Sequence, residues 1–224
     1  VMDAVQMGLP MARIELMDAA SVRAADAYAG MDLPETPHLL LEFHGSEAAV
    51  TEHSENFGAI AQGHGGAGFD WATRPEERRA LWAMRHNAYY AILALRPGAR
   101  ALVTDVCVPI SRLAEAVEAA SADIAASGLI GPILGHVGDG NFHAVLLIEE
   151  GNETELETAL AVSHTMVMRA LDMGGTATGE HGIGLGKLDY MRAEHGAAWS
   201  VMGALKRAMD PAGIMNTGKL VPPM

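Results

Sequence analysis

The chain is 224 residues long, 50% hydrophobic and 19% charged, with a formal net charge of −13. That length can bury a sizeable core as one large unit or two small ones, and the charge excludes nucleic acid as a partner, because phosphate contacts need clustered Lys and Arg. A single cysteine, Cys107, excludes an internal disulfide and gives no sign of an oxidising compartment.

No apolar run approaches the roughly 20 residues of a membrane-spanning helix. Val1 opens the chain without a basic n-region or a signal-like core. The expectation is a soluble, cytoplasmic chain, membrane-associated only as part of a longer parent, and a start at Val fits a trimmed fragment. No linker-like stretch divides it, so residues 1–224 read as a single unit.

In chain order, Ala12–Leu16 and His38–His44 read as strands with a helix over Asp18–Ala29 between them. Ser46 opens a helix that runs to Gln62, with acids in its first turn. A glycine-rich break, Gly63–Gly68, precedes a helix from Pro75 to Leu95, since proline suits a first turn and Pro97-Gly98 stops it. Ala101–Pro109 reads as one buried strand and Ser111 as the cap of a helix to Ser127. Pro132–Val137 and Phe142–Glu149 are strands joined by the turn Gly138-Asp139-Gly140-Asn141. A helix over Glu153–Met173, a glycine-dense loop Gly174–Gly186, helical pieces to Met209 and a turn-rich tail complete the chain. Strands and helices interleave, and the hairpin tilts the class to α+β, an antiparallel sheet with helices on one face.

Three segments can carry chemistry. In GHVGDGNFH (Gly135–His143) a hairpin turn brings His136 and His143 towards one point; the spacing is no standard zinc pattern, so a well-formed turn with incidental histidines stays open beside metal binding. In TGEHGIG (Thr178–Gly184) Glu180 can complete a His/His/carboxylate set with open metal positions, leaving His181 beside the ion as a base, since an unperturbed imidazole titrates near neutrality. The alternative is a surface loop with a salt-bridging Glu180. On the helix, Trp82, Arg85 and Tyr89 share one face at helical spacing. Arg85 there is either a carboxylate clamp or an arginine that snorkels to water.

Six blocks, LEFHGS (Leu41–Ser46), LWAMRHNAYYA (Leu81–Ala91), TDVCVPISRL (Thr104–Leu113), GHVGDGNFH, GEHGIGLGK (Gly179–Lys187) and DPAGIMNTGK (Asp210–Lys219), occur in this order. Together they resemble the C-terminal domain of FAD-linked oxidases of the vanillyl-alcohol-oxidase type, and within that group the cytochrome-type D-lactate dehydrogenases. The resemblance implies a ferredoxin-like substrate-and-metal cap over an FAD held by an N-terminal domain that this chain lacks. It implies His136, His143 and Glu180 as ligands of zinc or manganese, His181 as the base, and Arg85 with Tyr89 at the substrate. Asn216 and Lys219 fall in the family's cofactor-contacting tail, where Thr217 replaces a proline.

The implied reaction is oxidation of a 2-hydroxyacid to a 2-oxoacid with hydride transfer to flavin, reoxidised by a cytochrome or quinone. The isolated chain is then inactive as an oxidoreductase and exposes a sticky face that favours homodimers. Related sites for larger diacids carry a lysine two residues before the aspartate of the TDVCVP-like segment. Val103 stands there, which favours a monocarboxylate. The other readings are a metal-dependent hydrolase built on the same His/His/Glu set, and a non-catalytic module.

Overall fold

A computed structural model of the chain describes residues 1–221. Its elements are α1 (Met2–Gln6), β1 (Met11–Met17), α2 (Ala19–Ala29), β2 (His38–Phe43), α3 (Glu47–Gly63), α4 (Pro75–Ala94), β3 (Ala99–Val103), β4 (Val106–Cys107), α5 (Leu113–Ser127), β5 (Ile133–Gly135), β6 (Asn141–Glu149), α6 (Glu153–Asp172), α7 (Met191–His195) and α8 (Ala198–Met209). Several boundaries have local causes. Asp18 and Ser46 accept from the backbone N–H three residues on, capping α2 and α3, and Asn152 does the same for α6. Pro75 opens α4 with Glu76 and Glu77 in the first turn, where the helix dipole favours negative charge.

The strands form one sheet in the order β2-β1-β5-β6-β3, with β4 also pairing β6, and every pairing is antiparallel. The α+β class with an antiparallel sheet is as the sequence leads one to expect. The helices, however, cover both faces rather than one. Along β6, Phe142, Ala144, Leu146 and Ile148 join a core with α5 and α6, whereas Val145 and Leu147 join a second core with α2 and α4. A strand covered on both sides has no need of polar alternation, which is why Phe142–Ile148 is buried throughout. The sequence of β6 thus carries the correction in its unbroken apolar run Ala144–Ile148.

Two other expectations change. Ser111 does not cap α5; it lies in a 3-10 turn, Ile110–Arg112, that leads into the helix. The strand expected over Ala101–Pro109 is interrupted at Thr104-Asp105, between β3 and β4. At the interruption the Thr104 hydroxyl replaces a backbone acceptor: Ala144 N–H donates to Thr104 Oγ1 at 2.8 Å, while Thr104 N–H still donates to Ala144 O. The Thr104 carbonyl is left free to face the site.

Candidate functional site

The site begins at the β5–β6 turn. His136 follows the last residue of β5, and His143 is the third residue of β6. The turn closes through Asp139 and Asn141 N–H groups on the His136 carbonyl. Gly140 is required here: its φ is +80°, and a Cβ would meet Val108 O at 2.0 Å.

Each imidazole has one nitrogen committed. His143 Nδ1 lies 2.9 Å from the Thr104 carbonyl, which can only accept, so Nδ1 carries the proton. Burial pushes the His143 pKa below the ordinary histidine value, against the Thr104 carbonyl and Asp105, which favour the charged ring. Neutral His143 therefore presents a bare Nε2, 3.1 Å from Glu180 Oε1. His136 repeats the pattern: Nδ1 sits 2.6 Å from Glu15 Oε1, and Nε2 lies 3.3 Å from the same Glu180 oxygen. With both rings neutral, two imidazole lone pairs and a carboxylate oxygen face one another. All three atoms lie within 4.8 Å of each other. An arrangement of acceptors alone repels itself unless a positive charge stands between them, and neutral imidazole nitrogens with a carboxylate are the donor set that zinc-like cations take. The residues fit a divalent cation.

A second trio, Asp105, His143 and His181, is also within 4.8 Å, but Asp105 is already saturated. Its carboxylate accepts from Asn141 Nδ2, Thr178 Oγ1, the backbone N–H groups of Gly179, Glu180 and His181, and Lys187 Nζ, at 2.9–3.3 Å. Burial alone would raise its pKa; the His181 amide, the Asn141 side chain and Lys187 more than reverse this and hold Asp105 far below the usual carboxylate range. Asp105 is the anchor of the loop that delivers Glu180 and His181. The loop's near end is tied as well, by Cys107 and Thr176 exchanging backbone hydrogen bonds. Gly179 permits the close approach, since a Cβ there would meet Asn141 Nδ2 at 1.8 Å.

His181 stacks on His143 with ring centroids 4.9 Å apart and an interplanar angle of 10°. Its Nε2 is 3.8 Å from Glu180 Oε1, and the side chain is open to solvent. Arg85, from α4, is largely buried and donates through Nε and Nη2 to Glu15 Oε2 at 3.1 and 3.0 Å. Arginine has donors to spare beyond these two. Glu15, Arg85 and His136 line a cavity of about 550 Å³ together with Trp82, Arg13 and Asp139.

The remaining sequence-derived residues lie elsewhere. Tyr89 is exposed and packs edge-on against Tyr90; from α4 the cavity is lined by Trp82, Arg85 and His86 instead. Asn216 and Lys219 lie in the exposed tail after α8, joined by a backbone hydrogen bond. Val103 is at the end of β3, partly exposed and opposite Val145. Glu15 and the anchoring function of Asp105 are not apparent from motif reading. A usable signal existed: each is a carboxylate set within a largely apolar strand sequence, MARIELM and ALVTDVCV, where a charge needs partners.

Comparison with known proteins places this geometry. Residues 1–220 match the family model described as FAD linked oxidases, C-terminal domain. The chain belongs to this family. Among curated relatives, "Probable D-lactate dehydrogenase, mitochondrial" from Danio rerio is 44% identical over 96% of this chain and 44% of its own length. "D-lactate dehydrogenase [cytochrome], mitochondrial" from Arabidopsis thaliana is 41% identical over 96% of this chain and 38% of its own. The chain thus spans less than half the length of these relatives. The family fold is seen too in 4-ethylphenol oxidase from Gulosibacter chungangensis, with a TM-score of 0.68 at 14% identity over 93% of this chain and 47% of that one. Among the described residues, no helix is long and apolar enough to cross a membrane.

Proposed function

We propose that this chain is the substrate- and metal-binding part of an FAD-dependent D-2-hydroxyacid dehydrogenase that oxidises a D-lactate-like monocarboxylate to its 2-oxoacid. The observation that carries the reading is the convergence of His136, His143 and Glu180 on one point, with Arg85 joined to His136 through Glu15, in a chain of the FAD-linked oxidase family. A divalent cation, zinc or manganese, held by those three residues would supply Lewis acidity at the substrate's 2-hydroxyl. FAD, bound by a portion of the protein outside this chain, would supply the two-electron acceptor for the hydride leaving C2.

The chain's own residues do the rest. Arg85 pairs with the substrate carboxylate through the guanidinium edge that Glu15 leaves free, fixing C2 relative to the histidines. His181 receives the hydroxyl proton at Nε2 and passes it to solvent, to which it is open. The Nε2 lone pair of His143 would be engaged by the cation, so that ring would not compete for the proton. Trp82 and the strand β1 wall the cavity.

The test is reconstitution. This chain combined with the flavin-binding portion of the parent protein should reduce a dye acceptor with D-lactate, and the chain alone should not. His181→Gln should lower kcat by about 10²–10⁴-fold, the usual contribution of a general base, with cation content unchanged. Ester hydrolysis by the zinc-loaded chain without flavin would replace this reading with the hydrolase one.

A further inference from the structure

Glu15 joins two groups whose duties differ, and the proposed function uses it for neither. It is nearly fully buried on β1, with Oε1 on His136 Nδ1 and Oε2 on Arg85. We infer that Glu15 is a positioning residue that couples the substrate-carboxylate arginine to the cation site, by fixing the proton of His136 on Nδ1 and so leaving Nε2 free to ligate. The inference rests on the metal-site reading above and extends it to a residue that touches neither substrate nor cation.

The argument is one of donors and acceptors. Arginine only donates, and a carboxylate only accepts. With both Arg85 contacts on Oε2, Oε1 is left to accept from His136, so Nδ1 must carry the hydrogen, and in the neutral ring Nε2 then carries the lone pair. A carboxylate hydrogen-bonded to the outer nitrogen of a metal-binding histidine both orients the ring and makes it a better ligand. Here the same carboxylate also holds the guanidinium at the cavity wall. Anion recognition and cation ligation therefore share one buried support.

Glutamine at this position makes a sharp test, because its two ends are unlike. Arg85 can be satisfied only by the amide oxygen. The amide nitrogen is then turned to His136, where it donates to Nδ1 and drives the ring proton to Nε2, the atom that must ligate. In Glu15→Gln, nitrogen-15 NMR of the metal-free chain at alkaline pH, where histidine is neutral, should show His136 switched from the Nδ1–H to the Nε2–H tautomer. Zinc affinity should fall by about 10–100-fold, the usual cost of losing such a partner. In Glu15→Gln/Arg85→Met nothing forces the amide to point one way, so its oxygen can return to His136. The Nδ1–H tautomer and zinc affinity should recover, while Arg85's contribution to substrate KM stays lost.

A His136 tautomer unchanged by Glu15→Gln, or one that stays switched in the double variant, overturns the inference. If Glu15→Gln alone does not fold, the comparison moves to Glu15→Gln/Arg85→Met against Glu15→Leu/Arg85→Met. Only the former should hold Nδ1–H, and identical spectra overturn the idea. Zinc titration of the unaltered chain against His143→Ala tests the underlying metal reading separately. No zinc binding by the unaltered chain sinks that reading, while the tautomer, read without metal, still decides what Glu15 does.

Discussion

The loop Thr178–Lys187 and the segment from α8 to Leu220 both lie late in the chain and outside the sheet, yet they are held in opposite ways. The loop is irregular, but Asp105 and the bridge at Thr176 fix it through directional hydrogen bonds from its backbone and from Lys187. The α8 segment is regular, but it turns Val201, Leu205 and Met209 to solvent, and the tail adds Ile214 and Met215. Its fixed points are few: Asp210, which takes Lys206 and the N–H groups of Ile214 and Met215, and the Trp199 indole on the Leu220 carbonyl. Regularity and order of position are thus separate properties. A loop that must deliver Glu180 and His181 is set by a buried charge, whereas α8 keeps an apolar face that nothing among the described residues covers.

That contrast can be broken most strongly at Asp105. Asp105→Ala leaves Lys187 and several amides unpaired in a buried place, and should cost about 3–5 kcal/mol, read from denaturant midpoints, with cation binding lost as the loop comes free. Glu180→Ala should separate delivery from cargo: the anchor survives, so stability changes by less than about 1 kcal/mol, whereas zinc affinity falls by more than the roughly 100-fold of a supporting partner. Gly179→Ala forces a methyl group onto Asn141 and should cost about 1–3 kcal/mol, again with weaker cation binding. In α8, Leu205→Glu should change stability by no more than about 0.5 kcal/mol and raise solubility, because its side chain is already largely exposed. A large loss of stability there would show that α8 is held more firmly than its exposure implies.

Titration sharpens the same picture. The folded pKa of His143 is lower than its unfolded value, so below about pH 6.5 the unfolded chain binds a proton that the folded one resists. Its contribution is complete above that pH and declines as pH falls towards the depressed value. Asp105 is also depressed, so its contribution is complete above about pH 4 and is lost only in stronger acid. Metal-free stability curves should therefore step down twice on acidification, and His143→Phe should abolish the upper step alone.

Much of this was readable in the sequence, for physical reasons that differ by residue. Helix starts at Asp18, Ser46, Pro75 and Asn152 are local events, set by side chains beside their own backbone. The β5–β6 hairpin was legible from its glycines and apolar flanks, and it carries His136 and His143 together. Which helix covers which sheet face was not legible, because α2 with α4 and α5 with α6 have similar amphipathic patterns, and only the uninterrupted apolar run of β6 reports that both faces are covered. Glu15 lies 121 residues from His136 and 70 from Arg85, so no local pattern announces that it meets either. Tyr89 shared a helical face with Arg85 on spacing, but the cavity reaches α4 at Trp82, Arg85 and His86, and Tyr89 sits past its edge.

The interruption between β3 and β4 also sets where the chain tolerates a change of length. Both strands pair with β6, Val103 opposite Val145 and Val106 opposite Phe142, so the Thr104-Asp105 spacer is a fixed count. One residue more or fewer would slip β4 by a step and exchange the faces of Val106 and Cys107, carrying the carboxylate away from every amide it now gathers. The exposed stretch Gly63–Asp70 would absorb the same insertion locally. Tags, reporters or grafted loops belong there, and length variants at Thr104-Asp105 should be recovered only as unfolded protein.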